Sequence, residues 1–332
     1  MTIILAICAF SVFLPLVRCE EVESIYTSSG LTDGLFWLEK TQQLFFVDTL
    51  AHKICTYNAN SKKVFSARVG NGLVSFSVPV DNHPDKFVVG SGNDILLVTW
   101  DGNSNQENPP MKKLISVDKT IIGNRINYGR ADPTSRLWFG TLNNVNGTYG
   151  HNLANLYSLD AELNLVTQIP HISFSSGFAW SLDNKKFYFD DSLTFEVAAY
   201  DYNIKLGTVG HRDVVLDLKA NKIDGLPGRL AIDADDSLFV PLYGGSRVIR
   251  VDPHSKKVLR SVKINAARIG ACTFGGPSLT TLYVSTIGYG FDNASEKAPP
   301  HDKGGSIFAV TGLGVKGLST IPYKLDEKFL NP

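Results

Sequence analysis

The sequence predicts an all-β chain folded as a six-bladed β-propeller, and three observations carry that prediction. From residue 31 onward, short apolar runs are broken by turn residues, and no stretch has the spacing of an amphipathic helix. A unit of apolar strand, tight Asp/Gly/Asn turn, aromatic-rich strand and third strand recurs six times. Its period of roughly 40–55 residues is that of propeller blades. A strand is also left over at the ends of the chain. One small sheet cannot bury both of its faces, but sheets packed radially bury one another. A pair of β-sandwiches is the competing arrangement. It is disfavoured because the same cadence runs unbroken from residue 31 to 318.

The units follow in order. The first places strands at 37–38, 44–48 and 53–57. The second places them at 87–90 and 95–100, ahead of a polar loop at 103–110. The third runs through 131–132, 137–140 and 155–159, and the fourth through 178–183, 186–190 and 197–201. The fifth covers 230–233, 237–240 and 247–252, and the sixth 272–276, 281–285 and 306–310. Trp138, Trp180, Tyr188 and Phe239 lie in these strands and are expected to pack between blades. Lys62-Lys63, Lys112-Lys113, Lys185-Lys186 and Lys256-Lys257 are expected in turns and loops. The acidic run of Asp233, Asp235 and Asp236 reads as a solvated β-turn.

Bulk composition narrows the function. The formal net charge is zero and only 19% of residues are charged. A nucleic-acid binder usually shows a basic excess or patch, so the balance argues against that class. Residues 2–17 are apolar and read as a signal peptide cleaved after Cys19, leaving residues 20–332 as one propeller domain. The alternative is an uncleaved N-terminal anchor, although the run is slightly short for a membrane span. The expected protein is secreted and extracellular, free of the membrane once the signal is removed, and monomeric. Cys8 and Cys19 leave with the signal. For Cys55 and Cys272, one bridge and two buried thiols are both open. Asn146-Gly147-Thr148 and Asn293-Ala294-Ser295 are N-glycosylation sequons.

The most informative stretch is Asn124-Arg125-Ile126-Asn127-Tyr128-Gly129-Arg130-Ala131-Asp132-Pro133. In an extended segment, residues two apart point the same way. The Arg125 guanidinium and Asn127 amide would then face one spot, suited to a polar, oxygen-rich ligand. Segments just before the aromatic strands are the pocket candidates: 32–34, 125–128, 175–177 and 227–229. No pair among the seven histidines has metal-ligand spacing. No EF-hand spacing is present, and Ser175-Ser176-Gly177 lacks the Gly-x-Ser-x-Gly frame of a nucleophile elbow.

Several motifs carry a family resemblance over nearly the whole mature chain. They are Leu44-Phe45-Phe46-Val47-Asp48, Asn124-Arg125-Ile126-Asn127 with Ala131-Asp132-Pro133, Gly177-Phe178-Ala179-Trp180-Ser181, and Phe274-Gly275-Gly276-Pro277. On these the chain resembles the regucalcin family, also called SMP-30 or gluconolactonase-like, and is most similar to insect members such as luciferin-regenerating enzyme. The resemblance implies a metal-dependent lactonase or related hydrolase. One divalent cation, calcium or zinc, would sit at the channel mouth on a Glu, an Asn and an Asp from three blades. It would polarise a lactone carbonyl and activate water.

Carried over residue by residue, the family Glu falls on Asp33 and the Asn on Ser176. The Asp, ligand and base in one, falls on Gly228. Arg229 next door brings a positive charge to where the cation would sit. Arg125 and Asn127 persist as substrate-side residues, and the acidic residue after that Asn is Tyr128 here. No catalytic residue is assigned, and enzyme activity is left open. The favoured reading is a secreted propeller with a degenerate metal site that binds a small polar molecule or a protein partner. The alternatives are an active lactonase or esterase-type hydrolase, with Asp224 replacing the lost Asp, and a calcium-binding regucalcin-like protein.

Overall fold

Six antiparallel sheets surround a central channel in the computed structural model, which describes residues 20–28, 30–70, 72–290 and 295–330. The expected signal peptide at 1–19 lies outside the described residues. Blade 1 is Thr32–Leu38, Gln43–Asp48, Lys53–Asn58 and Val64–Arg68. Blade 2 is Val74–Val80, His83–Ser91, Asp94–Thr99 and Met111–Ser116. Blade 3 is Asn124–Ala131, Leu137–Val145, Ala154–Leu159 and Leu165–Ile172. Blade 4 is Ser175–Trp180, Lys186–Asp191, Glu196–Asn203 and Thr208–Asp217. Blade 5 opens with two short pieces, Leu226–Pro227 and Ala231–Ile232, before Leu238–Tyr243, Arg247–Asp252 and Lys257–Lys263. Blade 6 is Ile269–Gly275, Thr281–Thr286 and Ser306–Thr311.

The first strand of each blade is the innermost. These strands are buried along most of their length, and successive ones touch in a closed ring from blade 1 round to blade 6. Closure is made by the left-over strand. Glu21–Thr27, from the start of the described chain, pairs antiparallel with Ser306–Thr311 and becomes the outermost strand of blade 6. The first and last strands of the described residues therefore share one sheet, which ties the ring shut.

Aromatic side chains fill the wedges between blades, as expected. Trp37 stacks on Tyr283 across blades 1 and 6 at 5.3 Å, and Phe45 meets Phe87 across blades 1 and 2 at 5.1 Å. Trp138 packs on Phe187 across blades 3 and 4 at 4.9 Å, and Phe239 on Phe274 across blades 5 and 6 at 5.0 Å. Cys55 and Cys272 are free buried thiols, so the bridge alternative falls. Burial pushes the Cys55 thiol up to about 12, which keeps it protonated and unreactive.

Two expectations are corrected. Lys112-Lys113 lies within the strand Met111–Ser116, Lys186 opens Lys186–Asp191, and Lys257 opens Lys257–Lys263. The outermost strands show water one face and one edge, so lysine suits them. Asp233 is fully buried, not solvated. Its Oδ2 takes Arg250 Nε at 2.7 Å, and its Oδ1 takes the N–H groups of Asp235 and Ser237. Blade 3 repeats the device with Asp132, which accepts from Arg136 Nε, Trp138 Nε1 and Tyr202 OH. A buried carboxylate at the first turn thus pins both strands of its blade.

The last segment, residues 312–330, crosses the turn side of the ring as a strap. Ala234 N–H donates to Lys316 O on blade 5, and Thr320 Oγ1 donates to Trp37 O on blade 1. Tyr323 N–H donates to Pro79 O on blade 2, while its hydroxyl donates to Asp160 O on blade 3 at 2.6 Å. Tyr323 is fully buried. Replacing it by Ala empties that site and frees two blades, so Tyr323→Ala is expected to cost ~3–5 kcal/mol, measured by urea unfolding. A loss under about 1 kcal/mol would show that the strap does not brace the ring.

Candidate functional site

The innermost strands are not regular at the channel mouth. In blade 1 two residues, Gly34 and Leu35, oppose the single Phe46 between the pairs Asp33–Val47 and Phe36–Phe45. In blade 3 Asn127 is the extra residue between Ile126–Thr141 and Tyr128–Gly140. In blade 4 Ser176 and Gly177 oppose Asp190. Blades 2 and 6 carry the same irregularity at Ser75 and Gly270. In blade 5 the strand is broken outright between Pro227 and Ala231. A bulge kinks the strand and re-aims its side chain. Six such kinks at one level turn side chains that would alternate between sheet faces toward the channel axis.

The kinks bring the predicted residues together. Asp33, Arg125, Asn127, Ser176, Gly228 and Arg229 all line one pocket at this mouth, a cavity of about 120 Å³. Arg229 Nη1 lies 2.6 Å from Asp33 Oδ2, both side chains being almost wholly buried. Arg229 Nη2 donates to Asn127 O and Oδ1, each at 3.0 Å. The other Asp33 oxygen takes the Gly34 N–H at 2.8 Å, where Gly34 has a φ of +60°. Burial raises the Asp33 pKa above its ordinary value, while the Arg229 charge, the Gly34 N–H and Arg125 pull it back. Arg125 Nη1 sits 3.4 Å from Asn127 Oδ1, so the two residues do face one spot. Asn127 Nδ2 turns away, donating to Ser175 O at 2.7 Å.

Tyr128 is in the site but not in the pocket wall. It is buried beneath Arg229, whose guanidinium carbon lies 5.7 Å from its ring centroid. An aromatic face is favourable ground for a cation. Asp224, the proposed replacement ligand, is exposed and lies outside the pocket wall, so it does not rebuild the lost position. Asn146 is exposed in the short connection after Leu137–Val145, and Asn293 lies outside the described residues.

The donor set does not fit the cation that the resemblance implies. Such an ion wants several hard oxygen ligands from different blades. Asp33 is engaged by a guanidinium, Ser176 offers a neutral hydroxyl, and Gly228 offers nothing. A Cβ at Gly228 would stand 2.5 Å from Gly270 O, so no side chain fits there without moving blade 6. Among the described residues, no group of three or more His, Cys, Asp or Glu side chains is placed to hold a metal ion.

Sequence reasoning missed two parts of the site. Asp190 ends the aromatic run of blade 4, and its only signal was a carboxyl in an otherwise apolar strand. It is fully buried, and its Oδ2 accepts the Gly177 N–H at 2.9 Å. Ser192 Oγ lies 3.4 Å from its Oδ1 and donates to Pro227 O. The apolar wall, including Leu31, Ile269 and Ile287, was also unread, because nothing in an apolar run says that it faces a cavity.

Burial raises the Asp190 pKa well above the ordinary value, against the pull of the Gly177 N–H and the Arg229 charge. The fold therefore holds this proton more tightly than the unfolded chain does. Its contribution to stability is full below the ordinary Asp range and declines as pH rises from there through the folded-state pKa, at up to ~1.4 kcal/mol per pH unit. Asp190→Asn keeps one acceptor and one donor group without a titrating proton. Urea midpoints between about pH 5 and about pH 8 should fall less steeply for this variant than for the parent. Parallel profiles would show that Asp190 is ionised in the fold.

The comparisons with known proteins agree with this architecture. A family model described as the SMP-30/Gluconolactonase/LRE-like region matches residues 31–288. Regucalcin of Xenopus laevis is 33% identical over 285 residues, covering 85% of this chain and 91% of that protein. Regucalcin of Sus scrofa is 33% identical over 289 residues, covering 86% and 92%. Luciferin-regenerating enzyme superposes with a TM-score of 0.86 at 31% identity, covering 92% of this chain and 100% of that one. A calcium-binding regucalcin of Agrobacterium tumefaciens shares the fold, with a TM-score of 0.76 at 19% identity, over 91% and 97% of the two chains. With the motifs, the six-bladed ring and these relatives in agreement, the chain belongs to the regucalcin, or SMP-30/gluconolactonase/LRE-like, family.

Proposed function

We propose that this chain is a secreted, monomeric regucalcin-type propeller that binds a small molecule at the channel mouth without hydrolysing it. On this reading the Arg229 guanidinium takes the role of the divalent cation that the family resemblance implies. The observation that carries the reading is the 2.6 Å contact of Arg229 Nη1 with Asp33 Oδ2, made while Nη2 holds Asn127.

A metal-dependent lactonase needs a Lewis acid and a base facing one carbonyl. The base position is Gly228, which has no side chain and no room for one. The surviving carboxylate, Asp33, is tied to Arg229. Asp190 is a second buried carboxyl close to the pocket, and burial favours its neutral form. What remains can bind and orient a ligand and exclude water. A small molecule is favoured over a protein partner because the retained polar residues sit inside a concavity, where a flat protein surface would not reach them. Secretion is supported by the apolar run at 2–17 and by the exposed Asn146 sequon.

The hydrolase and calcium-binding readings both require a bound ion. Elemental mass spectrometry after dialysis against trace calcium and zinc, run beside a lactone and ester screen, separates them from this one. The expected result is far less than one ion per chain and no turnover. Close to one ion per chain with lactone hydrolysis would overturn the proposal. Two substitutions probe the internal cation. Arg229→Met leaves Asp33 buried without its partner and should cost ~3–5 kcal/mol in urea unfolding. Gly228→Asp should lower the melting temperature and gain no ion, because blade 6 obstructs the new side chain; a stoichiometric ion in that variant would contradict this.

A further inference from the structure

The pocket's polar atoms are mostly engaged with one another, and its walls are carbon. Asp33 holds Arg229 and the Gly34 N–H, Asn127 holds Arg229 and Ser175 O, and Ser192 donates to Pro227 O. Around them stand Leu31, Phe174, Leu193, Leu226, Ile269 and Ile287. A polyhydroxyl ligand needs a partner for every hydroxyl it buries. Each one left without a partner costs about 1–3 kcal/mol. Apart from Arg125, Tyr149 and Tyr243 at its wall, the lining of this pocket is mostly carbon and offers few.

It does offer donors for one head group. Ser176 lines the pocket and is only 2% exposed, and its hydroxyl has no hydrogen-bond partner among the described residues. The Arg229 guanidinium lines the same pocket. A guanidinium has no acceptor of its own, and a hydroxyl can donate. Both groups therefore favour an oxygen that accepts.

We propose that the pocket takes a compact, mainly apolar molecule that presents a single carbonyl or carboxylate oxygen to Ser176 Oγ beside Arg229. This rests on the reading that the site works without a divalent cation. Size agrees with it. A cavity of about 120 Å³ is close to the ~150 Å³ apolar cavity that admits a benzene ring. One ring or a short branched chain fits inside. The oxygen-rich ligand expected from Arg125 and Asn127 is thereby replaced, because the Asn127 amide is used within the protein.

The test is calorimetric titration of the mature chain with benzoate, gluconate and toluene in the presence of EDTA. Benzoate supplies ring and head, gluconate the same head on a hydroxylated chain, and toluene the ring alone. Benzoate should bind saturably and at least about ten-fold tighter than either, a difference of ~1.4 kcal/mol. Ser176→Ala should weaken benzoate about three- to ten-fold, the worth of one hydrogen bond, with an unchanged melting temperature. Absence of saturable benzoate binding overturns the proposal. So does gluconate binding as tightly as benzoate, or a Ser176→Ala variant with undiminished affinity; these outcomes leave the cation-free reading standing. Benzoate binding that appears only with added calcium or zinc and disappears in EDTA overturns that reading, and the ligand assignment with it.

Discussion

A guanidinium buried at the mouth of a protein channel needs acceptors, and Arg229 finds them at both terminal nitrogens. An unpaired buried cation would be far costlier than the fold can bear. Asp33 supplies the countercharge from blade 1, Asn127 supplies two oxygens from blade 3, and the Tyr128 ring lies beneath. Gly228 supplies space, since its missing Cβ lets blade 5 run against the Gly270 bulge of blade 6. Asp33, Asn127, Tyr128 and Gly228 thus form one set around a single charge. Together they build an internal cation with its own ligands.

The blades make this possible through a defect they share. A regular strand would send alternate side chains to opposite faces of its sheet. The kinks at Asp33, Asn127, Ser176 and the broken strand of blade 5 instead turn polar groups toward the axis. Below that level the ring is apolar and closed, held by the inter-blade aromatics, by the pairing of Glu21–Thr27 with Ser306–Thr311, and by the strap that ends near Tyr323. Ser176 and Arg229 then face a space of fixed shape, and a ligand need not organise them when it binds.

The sequence showed the fold through its buried strands. Runs such as Leu44-Phe45-Phe46-Val47 and Phe187-Tyr188-Phe189 are apolar on both faces because a propeller covers both. Outer strands such as Leu165–Ile172 and Lys257–Lys263 were illegible, since one exposed edge and one exposed face leave no apolar run. Arg125, Asn127, Asp33, Ser176 and Arg229 were legible as pocket residues because each lies in a segment just before an aromatic strand. Asp190 and the carbon wall were not. A carboxyl at the end of an aromatic strand reads as a turn residue, and its raised pKa comes from burial that only three dimensions reveal. The buried Asp233 misled in the same way: an acidic turn reads as solvated until Arg250 is seen to cover it.

The central claim is that a protein side chain, not a bound ion, supplies the positive charge at the channel mouth. The most direct measurement is an anomalous difference map from crystals grown with calcium and then with zinc. The account predicts guanidinium density bridging Asp33 and Asn127 and no anomalous peak between them. An ordered ion on Asp33, with Arg229 displaced from it, would contradict the account.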